Sequence, residues 1–103
     1  MIGDLYSKLK EARAKIEESK KRLNDIIVET SVEDGAIKVK ANANKVIISI
    51  DITEDFYNKA DKEGLEDLLL SAINIALEEA AQKGEIEMKE ITKGMLPNFP
   101  GLV

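Results

Sequence analysis

The chain has 103 residues and a formal net charge of −5, with no cysteine and no histidine. That length suits one domain with a modest core. The missing residue types exclude disulfides, thiolate or imidazole metal sites and the usual acid–base group at neutral pH.

The first predicted element is a helix from about Gly3 to Asp25. Leu5, Leu9, Ala12, Ile16, Ser19, Leu23 and Ile26 step by four and three residues, which marks one narrow apolar seam written for another long helix. Asp4, Glu11, Glu18 and Asp25 repeat every seven residues beside it, as do Lys8, Lys15 and Arg22. Asp4–Lys8, Glu11–Lys15 and Glu18–Arg22 are then acid-to-base pairs in the favourable order, each contributing about 0.2–0.5 kcal/mol. Such pairs account for three bases as an ordinary solvated face. Lys10, Arg13, Lys20 and Lys21 have Glu17 as their main acidic neighbour and are less compensated. Residues 1–25 hold seven basic and five acidic side chains, against eight and fifteen in the remainder, so phosphate would have to meet this local surface. Charges at Asp4, Lys8, Lys10 and Glu11 interrupt any leader-like apolar run, and no stretch reaches the roughly 20 apolar residues of a membrane span. A cytoplasmic protein without a membrane partner is expected.

Around Ile26 the period changes from helical to two. Val28, Thr30 and Val32 alternate with Glu29, Ser31 and Glu33, a half-buried strand. Asp34-Gly35 signals a turn. A second strand places Ile37, Val39 and Ala41 on one face and Lys38 and Lys40 on the other, the lysines reading as solubilising. Asn42-Ala43-Asn44 turns the chain again. In the third strand Val46, Ile48, Ile50 and Ile52 alternate with Ile47, Ser49 and Asp51.

After a polar connection from Thr53 to Lys62, a second helix begins near Asp61 to Glu63, with acids that suit the positive end of its dipole. Leu65, Leu68, Leu69, Ala72, Ile73, Ala76 and Ala80 form an apolar face wide enough to cover a sheet. Leu77, Ala81, Gly84, Met88, Ile91 and Met95 then recover the four–three spacing, with Gly84 placed to kink or divide the arm. The seam of the first helix (Leu5, Leu9, Ile16, Leu23) is predicted to zip against this arm (Leu77, Met88, Ile91), within a chain or between chains. The expected architecture is α+β in one domain. A helical arm (1–26) precedes a three-stranded antiparallel meander (27–53), a helix that continues into a helical arm (61–93) and an irregular tail (94–103). Apolar positions such as Ile47, left over by one covering helix, predict a homodimer.

Nothing resembles a catalytic or cofactor site: there is no glycine-rich phosphate loop, nucleophile–base pair or metal-ligand cluster. Asp51 reads as a solvent-facing or turn carboxylate, and Glu66 and Asp67 as acids of a first helical turn.

Several segments, in order and spacing, are similar to the YbaB/EbfC family of nucleoid-associated proteins. They are Met1-Ile2-Gly3 before a charged helix, Gly35-Ala36-Ile37-Lys38-Val39, Ile50-Asp51-Ile52, Leu65-Glu66-Asp67-Leu68, Ala72-Ile73-Asn74-Ile75-Ala76, Gly94-Met95-Leu96-Pro97 and Pro100-Gly101-Leu102. The resemblance covers almost the whole chain. It implies a bacterial, cytoplasmic homodimer with a central sheet and projecting helices, which binds DNA of the nucleoid and alters its conformation. On that reading the DNA-binding residues are Lys10, Arg13, Lys20 and Lys21, acting on the DNA backbone with little base specificity and without cofactor, metal or small-molecule substrate. The alternative is a protein–protein module whose helical arms grip a protein partner.

Overall fold

The computed structural model describes residues 2–95. Its elements are α1 (Ile2–Leu23), β1 (Ile27–Val32), β2 (Ile37–Asn42), β3 (Ile47–Ile52), α2 (Glu54–Lys59) and α3 (Lys62–Met95). The molecule is elongated, 68 Å by 24 Å by 18 Å.

The strands form an antiparallel meander in the order β1-β2-β3. Period-two patterning puts Val28, Thr30 and Val32 of β1 in register with Ala41, Val39 and Ile37 of β2. This face lies under α3, whose Ala72, Ala76 and Ala80 are fully buried against Ile37, Val39 and Ala41. Alanines at four-residue spacing bring the helix close to the strands; the partly buried Leu65, Leu68, Leu69 and Ile73 fill the flanks. Thr30, buried on the covered face, donates to Glu79 Oε2 at 3.0 Å and so pins α3 over β1. The opposite face is polar: Lys40 lies across from Glu29 at 3.9 Å, and Lys38 is in register with an exposed Asp51.

Several expectations about the elements need correction. Strict alternation in β3 fails because a bulge opposite Lys40 and Ala41 pairs Ala41 with Ile47 and Lys40 with Ser49. Ile48 is the extra residue, so Ile47 packs on the core while Val46 and Ile48 are exposed. The connection from Thr53 to Lys62 contains α2, capped by Thr53, whose Oγ1 accepts from the Phe56 amide; it sets Phe56 against the core. Gly84 neither kinks nor divides α3, which is continuous; a Cβ there would collide with the carbonyl oxygen of Ala43. Helix persists through Met95, so the irregular tail does not begin at Gly94; the rest of that expectation, 96–103, lies outside the described residues.

α1 stops at Leu23 rather than Asp25 because its last turn tightens, with Asn24, Asp25 and Ile26 amides donating to Lys21, Arg22 and Leu23 carbonyls. The β2–β3 turn then caps it. The Ala43 amide donates to the carbonyls of Leu23 (3.2 Å) and Ile26 (2.9 Å), and the Asn44 side-chain amide to that of Lys20 (2.7 Å). Carbonyls that a helix end leaves open are thus satisfied by a hairpin from elsewhere in the chain. α1 packs against α3 above this joint.

Candidate nucleic-acid interface

The seam sets how α1 is held. Leu23 is 4% exposed and Ser19 is buried, its hydroxyl donating to the Lys15 carbonyl at 2.7 Å, so a small polar residue sits in the seam without an unmet donor. Ile16, Leu77, Met88 and Ile91 are half-buried. Toward its N-terminus the helix leaves its support: Leu9 is 53% and Leu5 63% exposed within the single chain. The result is a helix anchored at its root by the β2–β3 turn and α3, with an outer half that is exposed among the described residues.

Lys10, Arg13, Lys20 and Lys21 are all exposed. At about 100° per residue they fall within one arc of about 100°, spread over roughly 16 Å of helix axis. Glu17 lies in the same arc, 3.8 Å from Lys20, an exposed pairing that neutralises little. Four bases against one acid leave this side clearly positive. Lys8, Lys15 and Arg22 share a different arc with Asp4, Glu11 and Glu18, and balance them. Among the described residues none of the three expected pairs Asp4–Lys8, Glu11–Lys15 and Glu18–Arg22 closes to ion-pair distance. Compensation on that flank therefore comes from shared surface rather than from direct pairing.

Two residues not singled out by the sequence join the basic side. Tyr6 is 70% exposed and lines a shallow hollow with Leu9, Lys10 and Arg13. It precedes Lys10 by one helical turn, so helical spacing alone could have found it. Lys45 lines a second groove with Lys20, Leu23, Asn44, Gly84 and Met88 at the root of the helix. No local pattern shows that approach, because it depends on the docking of the turn onto α1. From residue 78 onward the acids of α3 are Glu78, Glu79, Glu85, Glu87 and Glu90, of which Glu85 and Glu87 pair with Lys89 and Lys83. No cluster of potential metal ligands occurs among the described residues.

The model of the YbaB/EbfC DNA-binding family matches residues 1–95. A nucleoid-associated protein of Flavobacterium johnsoniae is 35% identical over 98 residues, covering 95% of this chain and 91% of its own. One of Thermoanaerobacter pseudethanolicus is 38% identical over 102 residues, covering 96% and 90%. The crystal structure of an uncharacterized protein from Helicobacter pylori superposes with a TM-score of 0.61 at 20% identity, covering 85% of this chain and 98% of that one, a likeness of fold.

Proposed function

The chain belongs to the YbaB/EbfC DNA-binding family, and on that premise we propose a nucleoid-associated homodimer that holds DNA along the basic side of α1. It touches phosphates, its base specificity is low, and it alters the conformation of the DNA it binds. The observation that carries this reading is the single arc of Lys10, Arg13, Lys20 and Lys21, exposed on a helix that the β2–β3 turn anchors at its root. Side chains on one rigid face meet a phosphate backbone together, and bonds to phosphate position a protein without reading sequence. The net negative charge does not forbid this, because at physiological salt the Debye length is about 8 Å and distant carboxylates are screened. No helix among the described residues is long and apolar enough to cross a membrane; the proposed place of action is the nucleoid, in the cytoplasm.

Salt titration tests the proposal. Four neutralised phosphates per protomer, or eight per dimer, predict that affinity in a gel shift falls about ten-thousandfold between about 50 and about 200 mM salt, at a slope of about −0.9 per phosphate. The fall should be the same for unrelated duplexes. If the protein shifts no DNA even at low salt, the alternative takes over: a module whose exposed Leu5 and Leu9 receive a protein partner.

Assembly is the second part. α3 lies over β1 and β2, which leaves β3 an uncovered edge with Val46, Ile48 and Ile50 about half-exposed. An apolar edge strand of this kind invites pairing or cover, and a second copy of the chain supplies it with two-fold symmetry. Light scattering at tens of micromolar should return twice the mass of the 11.4 kDa chain; a monomer mass would rule the dimer out.

A further inference from the structure

The β2–β3 turn carries an anomaly that packing does not explain. Asn42 and Val46 close a loop of three residues, with the Lys45 amide donating to the Asn42 carbonyl and the Asn42 amide to that of Val46, both at 2.9 Å. Asn42 Oδ1 also accepts from the amides of Asn44 (2.9 Å) and Val46 (3.2 Å), so the loop is held at each end. In such loops the last residue adopts left-handed backbone and is ordinarily glycine, with asparagine the usual substitute. Here it is Lys45, at φ +64°. Its side chain is exposed, so no buried packing offsets the unfavourable backbone.

A cationic side chain kept where a small one fits better points to the charge. Its surroundings agree. Lys45 and Lys20 line one groove, and Asn44 between them is tied to α1 through the Lys20 carbonyl (2.7 Å) and Asn24 Oδ1 (2.6 Å). Leu23, Ala43 and Met88 contribute an apolar floor. One acid lines the groove, Glu85, and it is drawn off by Lys89 at 3.6 Å; Glu17, outside the lining, reaches Lys20 at 3.8 Å. We infer that Lys45 and Lys20 together form a phosphate-binding site at the root of α1, which extends the basic side beyond the helix and takes the phosphodiester backbone of DNA. This rests on the DNA-binding reading above. A turn fixed to the helix at its amides presents its lysine at a constant offset from Lys20, so the two bind adjoining phosphates as a unit.

Lys45→Asn tests it, because that exchange removes the charge while relieving the backbone. The variant should melt no lower than the parent, yet bind duplex DNA about five- to tenfold more weakly at moderate salt, with a salt slope smaller by about 0.9 for each phosphate no longer neutralised. Lys45→Arg should retain most of the affinity. Lys62→Asn makes the same charge change at the far end of α3, where the side chain is 90% exposed and pairs with Glu66, and should leave binding unaltered. If Lys45→Asn binds like the parent, or if Lys62→Asn weakens binding equally, the site is overturned and the family reading stands. If the parent itself binds no DNA, both fail.

Discussion

Gly84→Ala will destabilise the fold, although the same exchange improves helix propensity by about 1 kcal/mol in an exposed helix interior. The opposing term is steric. A Cβ at Gly84 would meet the Ala43 carbonyl oxygen closer than real Cβ atoms come to backbone. Ala43 cannot retreat, since its own amide is bonded to the Leu23 and Ile26 carbonyls on the other side. Relief therefore requires α3 to lift off the turn, which exposes Leu23 and Ala43 and loosens the root of α1. Overpacking costs roughly 1–3 kcal/mol and a backbone obstacle belongs at the upper end, so the net loss is about 2 kcal/mol for alanine and larger for valine. For a chain of this size about 2 kcal/mol lowers the melting temperature by roughly 8–16 °C. Gly3→Ala is the control for sign: nothing lies within 4 Å of its Cβ position, and no loss is expected. Thermal melting followed by circular dichroism reads both. A Gly84→Ala protein that melts at or above the parent would show that the close approach of Ala43 does not constrain α3.

That glycine also shows what a sequence withholds. A glycine within a helical stripe has two physical uses, bending the helix or admitting a neighbour, and the choice depends on a turn remote in the chain. Where a side chain's fate follows from its own strand or helix, it is legible directly. Val28, Thr30 and Val32 share a face with Ile37, Val39 and Ala41 because the pleat fixes a period of two. β3 is ambiguous for a reason of its own: Ile47 and Ile48 are both apolar, so alternation admits two solutions, and the hydrogen-bond register selects Ile47 by means of the bulge. α2 is only six residues long, too short for a helical period to stand out, though Thr53 followed by Glu54 and Asp55 is a capping pattern. The candidate interface divides in the same way. Lys10, Arg13, Lys20 and Lys21 lie on one helix, and their common side follows from residue numbers alone. Lys45 joins them only through the tertiary docking of its turn.

Reversing Arg13, Lys20 and Lys21 to Glu should abolish the gel shift while leaving secondary structure and assembly intact. All three side chains are exposed, and the Glu17–Lys20 ion pair that the reversal removes is a surface pair of small worth. New repulsion with Glu17 amounts to about 0.2–0.5 kcal/mol per pair at helical spacing, too little to unfold a helix whose end is capped by the β2–β3 turn. Binding has no such margin. With three fewer phosphates neutralised, affinity at moderate salt should fall at least about a hundredfold, before counting the repulsion of the new carboxylates. Lys8→Glu with Lys15→Glu should cost less. Those lysines share their side of α1 with Asp4, Glu11 and Glu18, so that flank is already balanced and is a poor platform for phosphate. A triple Gln variant separates diminished attraction from added repulsion, and should fall between the parent and the Glu variant. If the parent binds DNA and the triple Glu variant binds equally well, the basic side of α1 does not hold the DNA. The interface would then have to be sought at the open sheet face, where Lys38 and Lys40 stand among exposed polar residues.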